Sequence, residues 1–383
     1  MRLELWDGSS PYAAAEPPIG TLLVRDARTL RQVLFNPHLQ FGECYMHGRL
    51  RVRGELEPVL EAMSRTSLTP TWRDRVNSML AVGNGIRRSR RNVHHHYDLG
   101  NDFYSWWLDE QLLYSCAYFE RPDVSLEQAQ IAKMDLVCRK LRLQPGESVV
   151  EAGCGWGALA LHMAREYGVN VRAFNLSHEQ TAYARARAMR EGLGGQVEFI
   201  EDDYRSVTGE CDAFVSVGML EHVGLKHFPT LADVMRRVLC RARGRGLLHF
   251  IGRDVPRPLN AWILRRIFPG GYAPTLAEVA TRVIAPARMS ILDVENLRLH
   301  YARTLAHWSR RFAHATEQVH ARYGEEFRRA WELYLAGSEA AFAAGSLQLF
   351  QVVFAPVEAA PPYWTRAEIY GDAQADEWFA ATR

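Results

Sequence analysis

Seven residues restrict the architecture of this 383-residue chain more than any others: Glu151-Ala152-Gly153-Cys154-Gly155-Trp156-Gly157. A short apolar run, Ser148–Ala152, carries an acid near its end and feeds three alternating glycines, and a helical stretch from Leu159 to Tyr167 follows, ending at Gly168. Glycine lets the backbone turn sharply and lets a ligand approach it closely, so the pattern predicts strand, ligand loop and helix in succession. The spacing is G-x-G-x-G and not the dinucleotide G-x-G-x-x-G, which favours S-adenosylmethionine over a nicotinamide cofactor.

The alternation continues on either side. Ser125-Leu126-Glu127-Gln128 has the form of a capping box, and Ile131, Met134, Cys138 and Leu141 recur at helical spacing as far as Pro145-Gly146. Beyond the loop the pattern predicts strands at 171–174, 197–200, 213–217 and 246–251, with helices at 178–191 and 231–239. Strands alternating with helices imply a mostly parallel, Rossmann-like α/β sheet covered on both faces. Between Gly252 and about Arg288 the rhythm breaks into a helical insertion around Leu259–Phe268, suited to cover a substrate. Its apolar residues suit an acyl pocket and Arg257, Arg265 and Arg266 suit phosphate, although an ordinary packing helix has the same pattern. Helices at 301–323 and 325–344 and a strand at 347–354 close the chain.

Residues 1–75 read as a small mixed domain, with a helix near Leu30–Phe35 and a strand entering a turn at Phe41–Gly48. Residues 76–93 read as a linker, and 94–383 as the main domain. The chain is 48% hydrophobic, carries a net charge of +2 and has three lysines among 46 basic residues. Balanced charge without a base-reading motif argues against nucleic acid, while Arg87-Arg88-Ser89-Arg90-Arg91 suits either lipid head groups or a solvated linker. The six cysteines have neither disulfide nor zinc spacing, and the consecutive side chains of His94-His95-His96 diverge, so no metal is expected. No apolar run approaches roughly 20 residues and Met1–Asp7 lacks a signal-peptide core, so a cytoplasmic location is expected.

Several blocks in one order resemble the cyclopropane-fatty-acid-phospholipid synthases and the related mycolic acid cyclopropane synthases. These are His96–Tyr104, Tyr114–Phe119, the glycine loop, Ser216–Gly224, Leu248–Gly252 and Ile267–Gly271. The N-terminal segment with Phe41-Gly42-Glu43 is similar to the extra domain of the phospholipid-acting members, implying lipid binding or dimerisation there. The resemblance implies transfer of a methyl carbon to the double bond of an unsaturated phospholipid, at the inner face of a membrane that the protein joins peripherally. Contacts to S-adenosylmethionine are implied at Tyr114, Ser115, Glu151, Gly153, Gly155, Asn175, Leu176, Gln180, Asp203 and Tyr204. Glu151 stands where the family has Asp, and Asn175 where it has Thr.

An alkene is a weak nucleophile, so the methyl must be held against it, and a base must remove a proton from the resulting cation. The resemblance implies bicarbonate as that base, held at Cys116, Glu221, His249, Ile251 through its backbone, and Tyr301. Singly these residues also suit plainer roles: Glu221 and His222 as helix caps, His249 as a core histidine, Tyr301 in helix packing, Cys116 as a small core residue. A methyl-branched, methylene or methylated unsaturated product is the nearest alternative to a cyclopropane ring. A lipid-binding protein with a vestigial site and a small-molecule methyltransferase are further ones.

Overall fold

The structure, a computed structural model, describes residues 1–13, 17–65 and 99–370. The expected linker at 76–93 and the histidine run at 94–96 lie outside the described residues. The N-terminal part contains β1 (Arg2–Glu4), β2 (Tyr12–Ala13), β3 (Thr21–Val24), α1 (Ala27–Phe35), α2 (Pro37–Met46), β4 (Leu50–Arg53) and α3 (Leu56–Arg65). Its strands form one mixed sheet in the order β2-β1-β3-β4. Asp26 caps α1 through the Thr29 N–H at 2.7 Å.

Residues 41–46, expected as a strand, are instead the second half of α2. Pro37 pre-sets the first helical turn, and Phe41, Cys44 and Tyr45 then fall on one face at helical spacing. Gly42 is required where it stands: a β-carbon there would lie 2.3 Å from the Trp262 ring.

The main domain runs α4 (Asn101–Ser105), α5 (Leu126–Leu141), β5 (Ser148–Ala152), α6 (Ala158–Tyr167), β6 (Asn170–Asn175), α7 (His178–Arg190), β7 (Val197–Glu201) and β8 (Ala213–Val217). It continues through α8 (Leu220–Val223), α9 (Phe228–Val238), β9 (Arg245–Gly252), α10 (Ala261–Arg266), α11 (Leu276–Val279), β10 (Met289–Asn296), α12 (Arg298–His314), α13 (Thr316–Ala343), β11 (Gln348–Pro356) and α14 (Ala367–Tyr370). Its seven strands lie in the order β10-β11-β9-β8-β5-β6-β7. β5 to β9 are parallel, while β11 runs antiparallel between β9 and β10. Strand order reverses between β5 and β8, and ligands of open α/β sheets bind at the carboxyl ends of strands at such a point.

The predicted capping box is present: Ser125 accepts from the Gln128 N–H at 3.2 Å and Gln128 accepts from the Ser125 N–H at 3.0 Å. α5 stops earlier than Pro145, because Arg142 adopts a left-handed conformation with φ 44°. The break expected at Gly324 is a kink (φ 81°, ψ 171°) inside α13, and the helices separate instead at Ala315.

One apolar cluster joins the two parts of the chain. It combines Leu22, Cys44 and Leu50 with Phe103, Trp107, Trp308 and Trp331. Polar contacts reinforce the join: Arg329 donates to the carbonyls of Tyr45 (2.7 Å) and Leu50 (3.1 Å), and Arg266 forks onto Glu43 at 2.8 and 2.7 Å.

Candidate active site

The glycine loop leaves β5 at the switch point. Gly153, Gly155 and Gly157 all have positive φ (87°, 54° and 84°), which explains why this turn needs glycine at alternate positions. They face different surroundings. A β-carbon on Gly157 would lie 2.6 Å from the Phe199 ring, whereas one on Gly155 would meet no protein atom within 4 Å. Gly157 serves helix packing and Gly155 borders open space. The loop is held by the Trp156 indole, which donates to Asn101 at 2.7 Å, and by Asn175, which donates to the Gly155 carbonyl at 3.0 Å and to Gln180 at 2.9 Å. Asn101 and Asn175 are thus loop braces.

A cavity of about 160 Å³ opens beside this loop. Each of the ten residues expected around the cofactor lines it. Three of them present buried polar atoms without a hydrogen-bond partner: Glu151 Oε2, Gln180 Nε2 and the Tyr204 hydroxyl. An acceptor carboxylate, an amide donor and a hydroxyl around bare glycine backbone fit the ammonium, hydroxyls and ring nitrogens of S-adenosylmethionine. Asp203 contributes differently, because its carboxylate accepts from Arg205 at 2.6 and 2.7 Å.

Sequence reasoning missed Lys133. Fully buried on α5, it donates to Ser115 Oγ at 3.0 Å and lines the same cavity. Burial pushes its ammonium down, with Asp109 the largest opposing influence. Burial also pushes the Glu151 carboxyl up, and Lys133 opposes that shift.

A second cavity of about 1030 Å³ adjoins the first, and Tyr114, Ser115, Gly218 and His222 line both. The five residues expected around the base all line the larger one. Glu221 projects from α8 and its Oε1 accepts the Ile251 N–H at 2.6 Å, so it reaches across to β9. Its Oε2 is buried and unpartnered. Burial raises its pKa to about 7, against the pull of the Ile251 N–H.

His249 stands two residues before Ile251 on the same face of β9. Its Nδ1 meets Gln351 Nε2 at 3.1 Å, and Gln351 Oε1 accepts from Lys140 at 2.8 Å. The Lys140 ammonium, itself paired with Glu295 at 2.5 Å, thereby fixes which way the Gln351 amide points. Gln351 donates to Nδ1, so the ring proton sits on Nε2, which is buried and unpartnered. Burial, with the charges of Lys133 and Lys140, lowers the His249 pKa to about 3 and keeps the ring neutral. Burial pushes the Cys116 thiol well up, so it keeps its proton. Tyr301 packs its ring against Phe342 at 4.5 Å.

An acceptor on Glu221 and a donor on His249, both buried, unpaired and beside one strand, fit a small oxyanion that carries a proton, as bicarbonate does. Sequence reasoning missed Lys140 and Gln351. The available signal was the lysines themselves: two of the three in an arginine-rich chain are buried in these networks.

Around the larger cavity the remaining wall is mostly apolar. α2 and α3 contribute Phe41, Leu60 and Met63, the insertion contributes Trp262 and Phe268, and α13 contributes Leu333 and Tyr334. Arg266, expected to face phosphate, instead pairs with Glu43.

A Rossmann-like sheet with a glycine loop and a polar pocket at its switch point, backed by a deep apolar cavity, defines an S-adenosylmethionine-dependent methyltransferase. Residues 85–352 match the mycolic acid cyclopropane synthetase family, and the chain belongs to it. Residues 1–69 match a domain of unknown function, DUF7884. The chain is 36% identical to a "Probable fatty acid methyltransferase" of Pseudomonas putida, over 97% of this chain and 96% of that one. It is also 36% identical to the cyclopropane-fatty-acyl-phospholipid synthase of Escherichia coli, over 86% of each chain. The solved structure of mycolic acid cyclopropane synthase CmaA1 complexed with SAH and CTAB superposes with a TM-score of 0.66 at 32% identity, covering 69% of this chain and 97% of that one.

Proposed function

We propose that the enzyme converts the double bond of an unsaturated phospholipid acyl chain into a cyclopropane ring, with bicarbonate as base. The observation that carries this reading is the pair of orphaned atoms, Glu221 Oε2 and His249 Nε2, in the wall of an apolar cavity that adjoins the cofactor pocket. When bound, S-adenosylmethionine supplies an electrophilic methyl and bicarbonate a proton acceptor. The residues do the rest. Tyr114 and Ser115, shared by both cavities, border the place where methyl and alkene must meet. Transfer of that methyl from the sulfonium to an alkene carbon would leave positive charge on the chain. Loss of a proton from the transferred methyl then lets its carbon bond to the second alkene carbon and closes the ring. Glu221 Oε2 would accept from the anion and His249 Nε2 would donate to it, which would orient its basic oxygen. The apolar wall excludes water that would otherwise trap the cation.

The N-terminal residues lining the cavity support lipid presentation as the role of residues 1–75, with the protein attached peripherally to the inner membrane face; pairing into homodimers is the other role proposed for this segment. Among the described residues no helix is long and apolar enough to cross a membrane. The likeness to a fatty acid methyltransferase favours, as a second reading, a methylated acyl chain without a ring.

One experiment separates the two. Vesicles of unsaturated phospholipid are incubated with enzyme and methyl-deuterated cofactor, and the lipids are examined by mass spectrometry and NMR. Ring closure adds a carbon, loses one deuteron and gives a ring methylene in the unlabelled product. Retention of every deuteron, or a vinylidene signal, establishes the second reading. Equal reaction of saturated lipids would remove both.

A further inference from the structure

β9 carries more than the anion site. The alternation of β9, carried one residue past its end to Arg253, which bridges to Thr275, puts His249, Ile251 and Arg253 on one face, and all three line the larger cavity. Arg253 is 9% exposed, its Nε is buried without a hydrogen-bond partner, and among the described residues no carboxylate lies within ion-pair distance of it. Arg257 lines the same cavity and donates to the Ser346 carbonyl at 3.1 Å, while its Nε is likewise buried and unpartnered. Burial and the neighbouring positive charge of Arg257 bring the Arg253 pKa down to about 9, still cationic at neutral pH.

Among the described residues the other buried arginines are treated differently. Arg245 pairs with Glu147 and Arg187 with Glu191. An unpaired buried charge is costly, and the positive charge of half-buried Arg257 adds to that cost for Arg253. An anion entering the cavity would relieve it, and a guanidinium fork suits the two-oxygen edge of a phosphate.

We propose that Arg253 and Arg257 form a phosphate subsite of the acyl cavity, which takes the phosphodiester of the lipid substrate. The proposal rests on the phospholipid reading above. It has a geometric corollary. Four strand positions, about 13 Å at 3.3 Å each, separate Arg253 from His249. Anchoring the phosphate at one end therefore fixes which stretch of acyl chain reaches the base at the other, and so restricts the double-bond position.

The test compares wild type with Arg253→Gln, Arg253→Lys and Arg257→Gln. Two substrates with identical unsaturated chains are used in the same detergent micelles: phosphatidylglycerol, and diacylglycerol without the phosphate. Arg253→Gln should raise the KM for phosphatidylglycerol at least about tenfold with a smaller change in kcat, as expected for loss of a buried charged contact. Arg257→Gln should act in the same direction, and Arg253→Lys should recover part of the loss. On diacylglycerol, wild type and variants should converge. Cofactor affinity by calorimetry should be unchanged, and the melting temperature of Arg253→Gln should not fall, since no protein partner of that side chain is lost; Arg257→Gln gives up its bond to the Ser346 carbonyl and is read on KM alone.

Inorganic phosphate distinguishes the two sources of the anion. It should compete with phosphatidylglycerol in wild type and much less in Arg253→Gln. Phosphate binding by wild type, with an unaltered phosphatidylglycerol KM in both Gln variants, would assign the pair to free phosphate and overturn the lipid subsite. An equal loss on both substrates would overturn it too. A wild type that methylates unsaturated chains but no phospholipid would remove the proposed substrate and the subsite with it. A wild type active on phospholipid with unchanged Gln variants would remove the subsite alone.

Discussion

Glu221 is the residue on which the proposed chemistry turns. Glu221→Gln should lower turnover by about a hundredfold, roughly 3 kcal/mol of transition-state stabilisation, while cofactor affinity measured by calorimetry stays near wild type. The buried carboxyl ionises near pH 7 in place of the usual 4.5, so the acid limb of wild-type kcat/KM should bend near pH 7 at fixed bicarbonate concentration. That bend should vanish in the Gln variant. The sign for stability is the reverse of an ion-paired acid: the burden is absent below about 4.5, grows as pH rises to about 7 and persists above it. Glu221→Gln should therefore melt no lower than wild type at pH 8; a lower melting point and a normal rate would make the residue structural. His249 depends on a residue 102 positions away, Gln351. Gln351→Leu should weaken the dependence of rate on bicarbonate, with the apparent affinity for the anion falling about tenfold, because the proton is no longer held on Nε2. Glu221 and His249 were legible from ordered motifs. Gln351 and Lys140 were not, because one lies in an apolar strand and the other in an amphipathic helix, and only the fold brings them together.

Among the elements, the β5–loop–α6 unit was the most legible, since alternating glycines have few other uses. The three glycines are not equivalent, however. Gly155→Ala places a methyl in open space beside the cofactor pocket, so calorimetry should show lost cofactor affinity with a modest fall in melting temperature from backbone strain of about 1–2 kcal/mol. Gly157→Ala drives a methyl into Phe199 and should mainly lower the melting temperature. The opposite pattern would mean that the loop does not face the ligand. α2 was misread because glycine and aromatics in its sequence suggest a strand, whereas its glycine answers to Trp262, more than two hundred residues away. β10 gave no signal before the structure. It is an edge strand with a bulge between Ile291 and Asp293, so its alternation is interrupted.

For the molecule as a whole, the N-terminal part is a wall of the larger cavity, fastened by Glu43 to Arg266 and by Arg329 to the backbone of residues 45 and 50. Arg266→Gln should raise the KM for lipid severalfold and leave cofactor affinity intact, and the exchanged pair Glu43→Arg with Arg266→Glu should recover part of the loss. Since Arg266 holds the Glu43 carboxyl below its usual range, this fastening is present above the unfolded pKa and is lost as pH falls through the folded one. No change in lipid KM would mean the wall stands without this pair. The wall also has an order of construction. Its pieces come from residues 33–65, from the insertion, and from α13 and the start of β11, and β11 must slot between β9 and β10. On the ribosome, the smaller cavity can assemble once Pro269, some way past β9, has emerged. The larger cavity has to wait for the last strand of the sheet, so a chain still in synthesis acquires the smaller cavity, proposed for the methyl donor, before the one proposed for the acyl chain.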